Sequence, residues 1–369
     1  MDFAFSKSEK LLIDSAREFL EKEVEGLARQ AEETGEGYSP ELWRKMADLG
    51  WMGLLLPEEY GGVAGDFLEL TLILEKMGRA LVPGPFISTT ISGYSVLKYG
   101  TEAQRNKLLP KLAQGEIIFT PAFIEPDSTK GEVKIKEQVN LKNGDYILSG
   151  TRLFVPYAHL ADWFVYKTKT DTGTILFLVN AKSPGINYKT LKTIASDMQC
   201  EVSLDRVKVP QANILGKKEQ GKQIAIEIEE WGALCQSAFI LGILEKVLEI
   251  TVKHAKEREQ FGRPIGSFQA IQHQCADMAT EVDKVKFLVY QAARRLSEQI
   301  SATKDISMAK AKASDASRSV CLLGMKIHGG IGISEEHDMQ LYFRMAKAAE
   351  IASGNGDFHK EIVAKELGL

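Results

Sequence analysis

Hydrophobic and polar positions divide the chain into three stretches of different period. From Ser6 to about residue 115, apolar residues recur at helical spacing, beginning with Leu11, Leu12, Phe19, Leu20, Val24 and Leu27, the interval that places side chains on one helix face. Ser6 followed three places on by Glu9 is a capping-box pattern at the start of that helix. Ser39, Pro40 and Gly50 predict the N-cap, first turn and stop of a second helix. Two more helices fit Asp66 to Ala80 and Thr101 to Ala113, the latter with Thr101 and Gln104 as another capping box.

From about Glu116 to Gly216 the period shortens. Val133, Ile135 and the run Trp163 to Tyr166 are β-rich, Asn143-Gly144 is a type I′ hairpin signal, and Asp171-Thr172-Gly173 predicts a second turn before Ile175 to Val179. A small antiparallel β domain follows. After Gly221 the helical period returns: Ile224 to Arg258 would span about 50 Å at the rise of an α-helix. Ser267 to Ile300, Ile306 to His328 and Ser334 to Ala352 complete a helical bundle, with Ser267 as the expected cap of its helix.

Composition adds boundaries to this picture. The chain of 369 residues, 44% apolar and 26% charged, has the make-up of an ordinary globular protein long enough for two or three domains. A formal net charge of −4, with lysines and arginines interleaved among acids, argues against nucleic acid as a partner. The four cysteines, Cys200, Cys235, Cys275 and Cys321, form no CxxC pair and read as reduced core thiols. The N-terminal MDFAFSKSEKLL lacks the unbroken apolar core of an export signal, so a cytoplasmic location is expected. Trp231 to Leu244, the longest uncharged run, is well short of the ~20 residues that cross a bilayer and reads as a buried helix.

Three motifs carry candidate chemistry. In EREQFGRPIGSFQAIQH, residues 257 to 273, Arg258 ends a long helix, where it either answers the helix macrodipole or reaches a ligand; Phe261-Gly262 and Pro264 break the helix. In KIHGGIGISEEHD, residues 326 to 338, three glycines within four residues permit a sharp turn or a close approach of backbone to a ligand. His328 and His337 lie in the same run without a ligand-spaced carboxylate, which argues against a metal site. The third, EIASGNGDFH at residues 350 to 359, is a small-residue loop between helices: a phosphate cradle, a plain turn, or a catalytic loop without its working residue.

Together the first two motifs, the continuation HDMQLYFRMAK, and the order helices, β domain, bundle resemble the acyl-CoA dehydrogenase family over essentially the whole chain. The resemblance implies a mainly α fold with a β domain: an N-terminal helical domain (1–115), a middle antiparallel β-barrel-like domain (116–217) and a C-terminal four-helix bundle (218–369). It implies FAD between the β domain and the bundle, with its adenine end covered by a neighbouring subunit's bundle. Arg258 is similar to the arginine that reaches the neighbour's pyrophosphate, a task suited to a planar guanidinium. Phe261 and Phe268 match apolar packing positions, Gln269 a polar contact, and Gly329-Gly330 the glycines lying against the cofactor. Lys326 replaces the family's usual glutamine, and a cation there still suits a phosphate.

The half of the site that faces the flavin ring and substrate departs further. Where the family has a segment like TEPGxGSD, this chain has Ile124-Glu125-Pro126-Asp127-Ser128-Thr129, keeping the Glu-Pro. Where an aromatic-x-threonine element packs on the flavin and donates to its N5 edge, the chain has Phe154-Val155-Pro156; Phe154 still packs, but proline has no donor. The family's glutamate-glycine-threonine loop, whose glutamate removes the α-proton of the acyl thioester, aligns with Ser353-Gly354-Asn355, after which Asp357 is the expected N-cap of the last helix, Phe358 to Leu367. Some family members keep the base on the long helix, a position that falls here at Gly232, beside Ala233. Glu229, Glu350 and Asp357 remain as candidates for a relocated base, each also readable as a solvated charge or a cap.

The resemblance therefore implies a subunit of a heteromeric acyl-CoA dehydrogenase, a dimer or tetramer, that lends the adenine-side wall to a related subunit with an intact glutamate. The complex would desaturate an acyl-CoA and pass electrons to an electron-transfer flavoprotein. Two alternatives stand beside it: a self-sufficient homo-oligomeric flavoenzyme with a relocated base, and a non-catalytic scaffold or regulatory protein.

Overall fold

Three helices open on reciprocal caps, which fixes where the N-terminal elements start. In the computed structural model, which describes residues 5–24, 26–126, 138–142, 144–170, 173–195 and 197–369, Ser6 and Glu9 cap each other's backbone N–H at helix α1 (Lys7–Glu23). A short α2 (Leu27–Thr34) and α3 (Pro40–Asp48) follow, with Ser39 accepting from Leu42 N–H at 3.2 Å as the expected cap. Asp66 and Glu69 form a second box at α4 (Phe67–Ala80). Helix α5 (Phe86–Tyr99) is buried on nearly all sides, and α6 (Glu102–Ala113) begins on the Thr101–Gln104 box.

Strands β1 (Phe119–Ala122), β2 (Gln138–Lys142), β3 (Asp145–Pro156), β4 (Trp163–Thr170), β5 (Gly173–Asn180), β6 (Ile186–Leu191) and β7 (Gln199–Pro210) form two sheets ordered β1-β4-β5 and β2-β3-β7-β6. All pair antiparallel except β1 and β4, which run parallel, a departure from the all-antiparallel expectation. A parallel neighbour requires a long connection, and the 40 residues separating Ala122 from Trp163 contain the β2–β3 hairpin. Lys142 pairs with Asp145 and Thr170 with Gly173, so the strands flanking both expected turns are antiparallel neighbours. Val133, Ile135, Asn143, Asp171 and Thr172 lie outside the described residues. Alternate residues of four strands, among them Leu148, Phe164, Phe177 and Val202, share one core.

The C-terminal third is long helix: α7 (Gly221–Glu257), a hairpin of β8 (Glu259–Gln260) and β9 (Arg263–Pro264), α8 (Gln269–Ser297), α9 (Thr303–His328), α10 (Met339–Ile351) and α11 (Gly356–Glu366). The described residues cluster into two compact units. One comprises Met1–Gln30, Asp66–Val82 and Gly232–Leu369; the other Ala31–Gly65 and Pro83–Trp231. In the first unit α9 is the central helix, packed against α8, α10 and α11. α4 and α7 cross there at Gly78 and Gly242, where an added Cβ would fall on the backbone oxygens of Phe239 and Glu75; only glycine permits so close a crossing. No helix among the described residues is long and apolar enough to cross a membrane. Cys200, Cys235 and Cys321 are buried thiols, while Cys275 is only half-buried.

Three helix ends differ from the sequence reading. Ser267 does not cap α8: its hydroxyl donates to Pro264 O at 2.7 Å, and Phe268 occupies the cap position. The helix expected from Ser334 begins at Met339, because residues 334–338 form a turn in which His337 N–H donates to Ser334 O at 3.2 Å, and Asp338 takes the cap position. Asn355, not Asp357, caps the last helix, accepting from Phe358 N–H at 2.9 Å. Asn355 has the shorter reach to the third helical N–H; Asp357 sits inside the first turn, exposed, 3.5 Å from Lys360.

Candidate functional site: a glycine-rich turn, an arginine hairpin and a serine loop

In the β-rich unit, an irregularity in β3 sets the geometry. Its register against β7 shifts between Arg152 and Val155, and Phe154 adopts a left-handed φ of 51° there. A bulge of this kind re-aims a side chain, and Phe154 is 52% exposed while Val155 is buried. Leu153 N–H donates to Ile124 O at 2.8 Å, so Ile124, 47% exposed, lies beside Phe154 at the same edge. The structure thus brings these two candidates together; Asp127, Ser128 and Thr129 of the same segment lie outside the described residues. Glu229 on α7 is half-buried, 3.4 Å from the Lys167 ammonium. It is an ion-pair partner of β4.

In the helical unit, Arg258 follows the last residue of α7, its N–H donating to His254 O at 2.8 Å while Ile265 N–H donates to Arg258 O at 2.8 Å. The hairpin between them turns on Phe261 and Gly262, φ 54° and 77°, the backbone of a type I′ turn. A phenylalanine at positive φ is rare, and Phe261 is 92% exposed. Phe268 sits behind it, ring centroids 6.0 Å apart and edge-on, with the Arg263 guanidinium 4.2 Å over the Phe268 ring. Gln269, the first residue of α8, is exposed.

At the end of α9, Lys326 is exposed, Gly329 has φ 67°, and a Cβ built on either Gly329 or Gly330 meets nothing within 4 Å. The glycine pair therefore presents bare backbone to open space. His254 of α7 stacks on His328 of α9 with ring centroids 4.3 Å apart, and His337 packs against His328 at 4.9 Å. This stack, unrecognised in the sequence, joins the arginine hairpin to the glycine turn. Its nitrogens do not converge: His328 Nδ1–H donates to Gly324 O at 2.8 Å, and His337 Nδ1 accepts from Met339 N–H at 3.1 Å. Among the described residues no three His, Cys, Asp or Glu side chains are placed to share a metal ion. Burial, followed by the neighbouring His337 and Arg258 charges, pushes His254 below its ordinary value; burial does the same to His328, assisted by its two histidine neighbours.

The serine loop lies in the same unit. α10 ends at Ile351, Ser353 takes φ 55° and Gly354 φ 90°, and Asn355 starts α11. Glu350 is buried, 2.8 Å from both Arg318 and Lys347. Burial raises its carboxyl, but hydrogen bonds to Lys347 and Arg318 and their charges outweigh it and hold the group below the carboxylate range. Of the three acids offered as a relocated base, Glu350 is thus engaged by two cations, Glu229 by one, and Asp357 is an exposed helix-start acid. The imidazole next to Ser353 does not activate its hydroxyl: His359 Nε2–H donates to Ser353 O at 2.8 Å, and Nδ1 accepts from Ser307 at 3.2 Å. Lys310, which no motif in the sequence singles out, also reaches this loop from α9.

The exposed arginine hairpin and the open glycine turn of the helical unit present a cation and bare backbone, groups suited to an anionic ligand. Residues 6–116 match the model of the acyl-CoA dehydrogenase N-terminal domain and residues 219–368 that of the C-terminal domain. Acryloyl-CoA reductase (NADH) of Anaerotignum propionicum is 31% identical, the alignment covering 100% of this chain and 96% of the reductase. The solved glutaryl-coenzyme A dehydrogenase glutaryl-CoA complex is similar with a TM-score of 0.94 at 30% identity, over 100% of this chain and 97% of that one. A chain of the ChsE4–ChsE5 complex from Mycobacterium tuberculosis gives 0.89 at 29% identity, over 100% and 99%. The chain belongs to the acyl-CoA dehydrogenase family, whose members are flavoprotein oxidoreductases.

Proposed function

We propose that this chain is the base-lacking subunit of a heteromeric acyl-CoA dehydrogenase, acting with a related subunit in FAD-dependent α,β-desaturation of an acyl-CoA in the cytoplasm. The observation that carries this reading is the loop at 350–355: serine stands where the family's proton-abstracting glutamate would, and each nearby acid already has a structural partner or faces solvent. A positioned base contributes on the order of 10²- to 10⁴-fold, roughly 3 to 5 kcal/mol of barrier. A serine hydroxyl cannot supply this without its own base, and His359 is turned to a backbone carbonyl.

The open glycine pair and the exposed cations Arg258 and Lys326 fit a dinucleotide's phosphates. On this reading Arg258, Phe261, Phe268, Gln269, Lys326, Gly329 and Gly330 serve the partner subunit's cofactor. Ile124, Phe154 and Asn355 serve this chain's own cofactor, and residues 1–115, 116–217 and 218–369 are its three modules. FAD would supply hydride acceptance at the site; what this chain adds is phosphate binding, packing and exclusion of water. Electrons leave to an electron-transfer flavoprotein.

The test is expression of the chain alone and with its candidate partner, followed by flavin absorbance and dye reduction by acyl-CoAs. Flavin and activity only in the assembled complex support the reading. Full activity of the chain alone rejects it in favour of a self-sufficient homo-oligomer. A colourless chain whose absence leaves the partner fully active rejects it in favour of a scaffold.

A further inference from the structure

Lys310 lies in the first third of α9 with 0% of its surface exposed. Its ammonium donates to Glu350 O at 2.7 Å, Gly354 O at 2.7 Å and Ser314 Oγ at 3.3 Å. A buried lysine is costly to keep, and burial, only partly offset by the Glu350 charge, brings its ammonium down to about 7. From the other side His359 on α11 holds Ser353 O. Three of the loop's carbonyls, at 350, 353 and 354, are therefore tied by two side chains from two different helices.

The loop needs such ties. Ser353 is a non-glycine residue in the left-handed region, a conformation that persists only where its surroundings over-determine it. The charged groups facing the ties are Glu350 on α10, which Arg318 of α9 and Lys347 of α10 neutralise, and His359 itself. Neither Lys310 nor His359 has a part in the cofactor or base roles considered above.

We propose that Lys310 and His359 are positioning residues that lock the backbone of residues 350–355, so that residue 353 projects from one fixed point whichever side chain it carries. The lock acts through backbone carbonyls, so the replacement of a carboxylate by serine leaves it standing. Its connection to acyl-CoA chemistry rests on the function proposed above; the lock itself does not.

Hydrogen exchange on the full chain tests it. In Lys310→Met, a peptide spanning 350–359 should exchange about tenfold faster or more, while peptides from α7 and α8 keep their protection. Unchanged protection of that peptide, or equal acceleration across the bundle, overturns the proposal. If Lys310→Met does not fold, wild-type exchange in low denaturant decides: the amides of Ala352, Phe358 and His359, hydrogen-bonded to Ala348 O, Asn355 Oδ1 and Asn355 O, should open only with global unfolding. Local opening overturns the lock.

A second arm places Ser353→Glu in the assembled complex. Dehydrogenation by that subunit should appear, and adding Lys310→Met should lower kcat about tenfold or more with KM nearly unchanged. Activity indifferent to Lys310→Met overturns the lock. An inactive Ser353→Glu complex whose 350–359 exchange still responds to Lys310→Met supports the lock and counts against the proposed function.

Discussion

The imidazoles of His254 and His328 lie 4.3 Å apart with their planes 24° from parallel, joining the last turn of α7, four residues before Arg258, to the residue preceding Gly329. Both rings are buried enough to favour the neutral form. A histidine whose folded pKa is depressed is protonated first in the unfolded chain as pH falls. Its stabilising contribution is complete above the ordinary value near 6.5 and is lost as pH drops toward the folded value. His254→Phe keeps a ring for stacking and removes one titration. Urea unfolding at pH 7.5 and 5.5 should therefore show a smaller loss of stability on acidification in the variant than in the wild type; an equal loss would mean the stack carries no proton linkage.

Arg258 is exposed, and its backbone rather than its guanidinium holds the hairpin. Substitution by alanine should leave stability within about 0.5 kcal/mol of wild type. In the co-expressed complex it should reduce retained flavin, and Arg258→Lys should restore only part of the loss, because an ammonium cannot make the bidentate contact. Flavin-to-protein absorbance ratios after gel filtration decide this; equal ratios for all three proteins would remove Arg258 from the cofactor's surroundings.

The parts of the fold that were legible are those determined by short-range chemistry. Ser6 with Glu9 and Thr101 with Gln104 announce helix starts because each cap is completed within four residues. Lys142 opposite Asp145 follows from two turn residues. Helix α5 was not legible: Phe86–Tyr99 is buried on most sides, with Ser88, Thr89, Thr90, Ser92 and Ser95 among its buried residues, so no polar face marks its period. The parallel partnership of β1 and β4 spans an intervening hairpin and leaves no local trace. The candidate site divides in the same way. Arg258, Gly329 and Ser353 stand in recognisable runs, whereas Lys310 looks like one of several lysines on a solvated helix, and its partners lie 40 and 44 residues away.

Glu350 separates a structural acid from a catalytic one. With Arg318 and Lys347 on its oxygens, its carboxyl is held below the ordinary range. Its stabilisation is therefore present above pH ~4.5 and lost as pH falls through the folded value. Glu350→Gln should cost about 1 to 3 kcal/mol, since it weakens charge-assisted hydrogen bonds at a buried oxygen pair, read as a shift in the urea midpoint at pH 7. Were Glu350 a relocated base, the same variant would keep its stability and lose acyl-CoA oxidation.

His359 gives the loop its own acid sensitivity. Burial, with a smaller contribution from the Lys310 charge and against the hydrogen bond to Ser353 O, pushes the imidazole down to about 4. Above pH 6.5 both the folded and unfolded chains carry it neutral; between 6.5 and 4 only the unfolded chain gains the proton, so stability falls as pH drops through that window. At about 1.4 kcal/mol per pKa unit, the loss over the window is on the order of 3 kcal/mol. His359→Gln retains an N–H for Ser353 O and does not titrate, but leaves the Ser307 hydroxyl without its acceptor, costing about 1 kcal/mol at neutral pH. The variant should be less stable than wild type at pH 7 and overtake it on the way to pH 4. Parallel stability curves for the two proteins across that range would show that the imidazole is not held neutral, and Nδ1 would then carry a proton and donate to Ser307 Oγ instead of accepting from it.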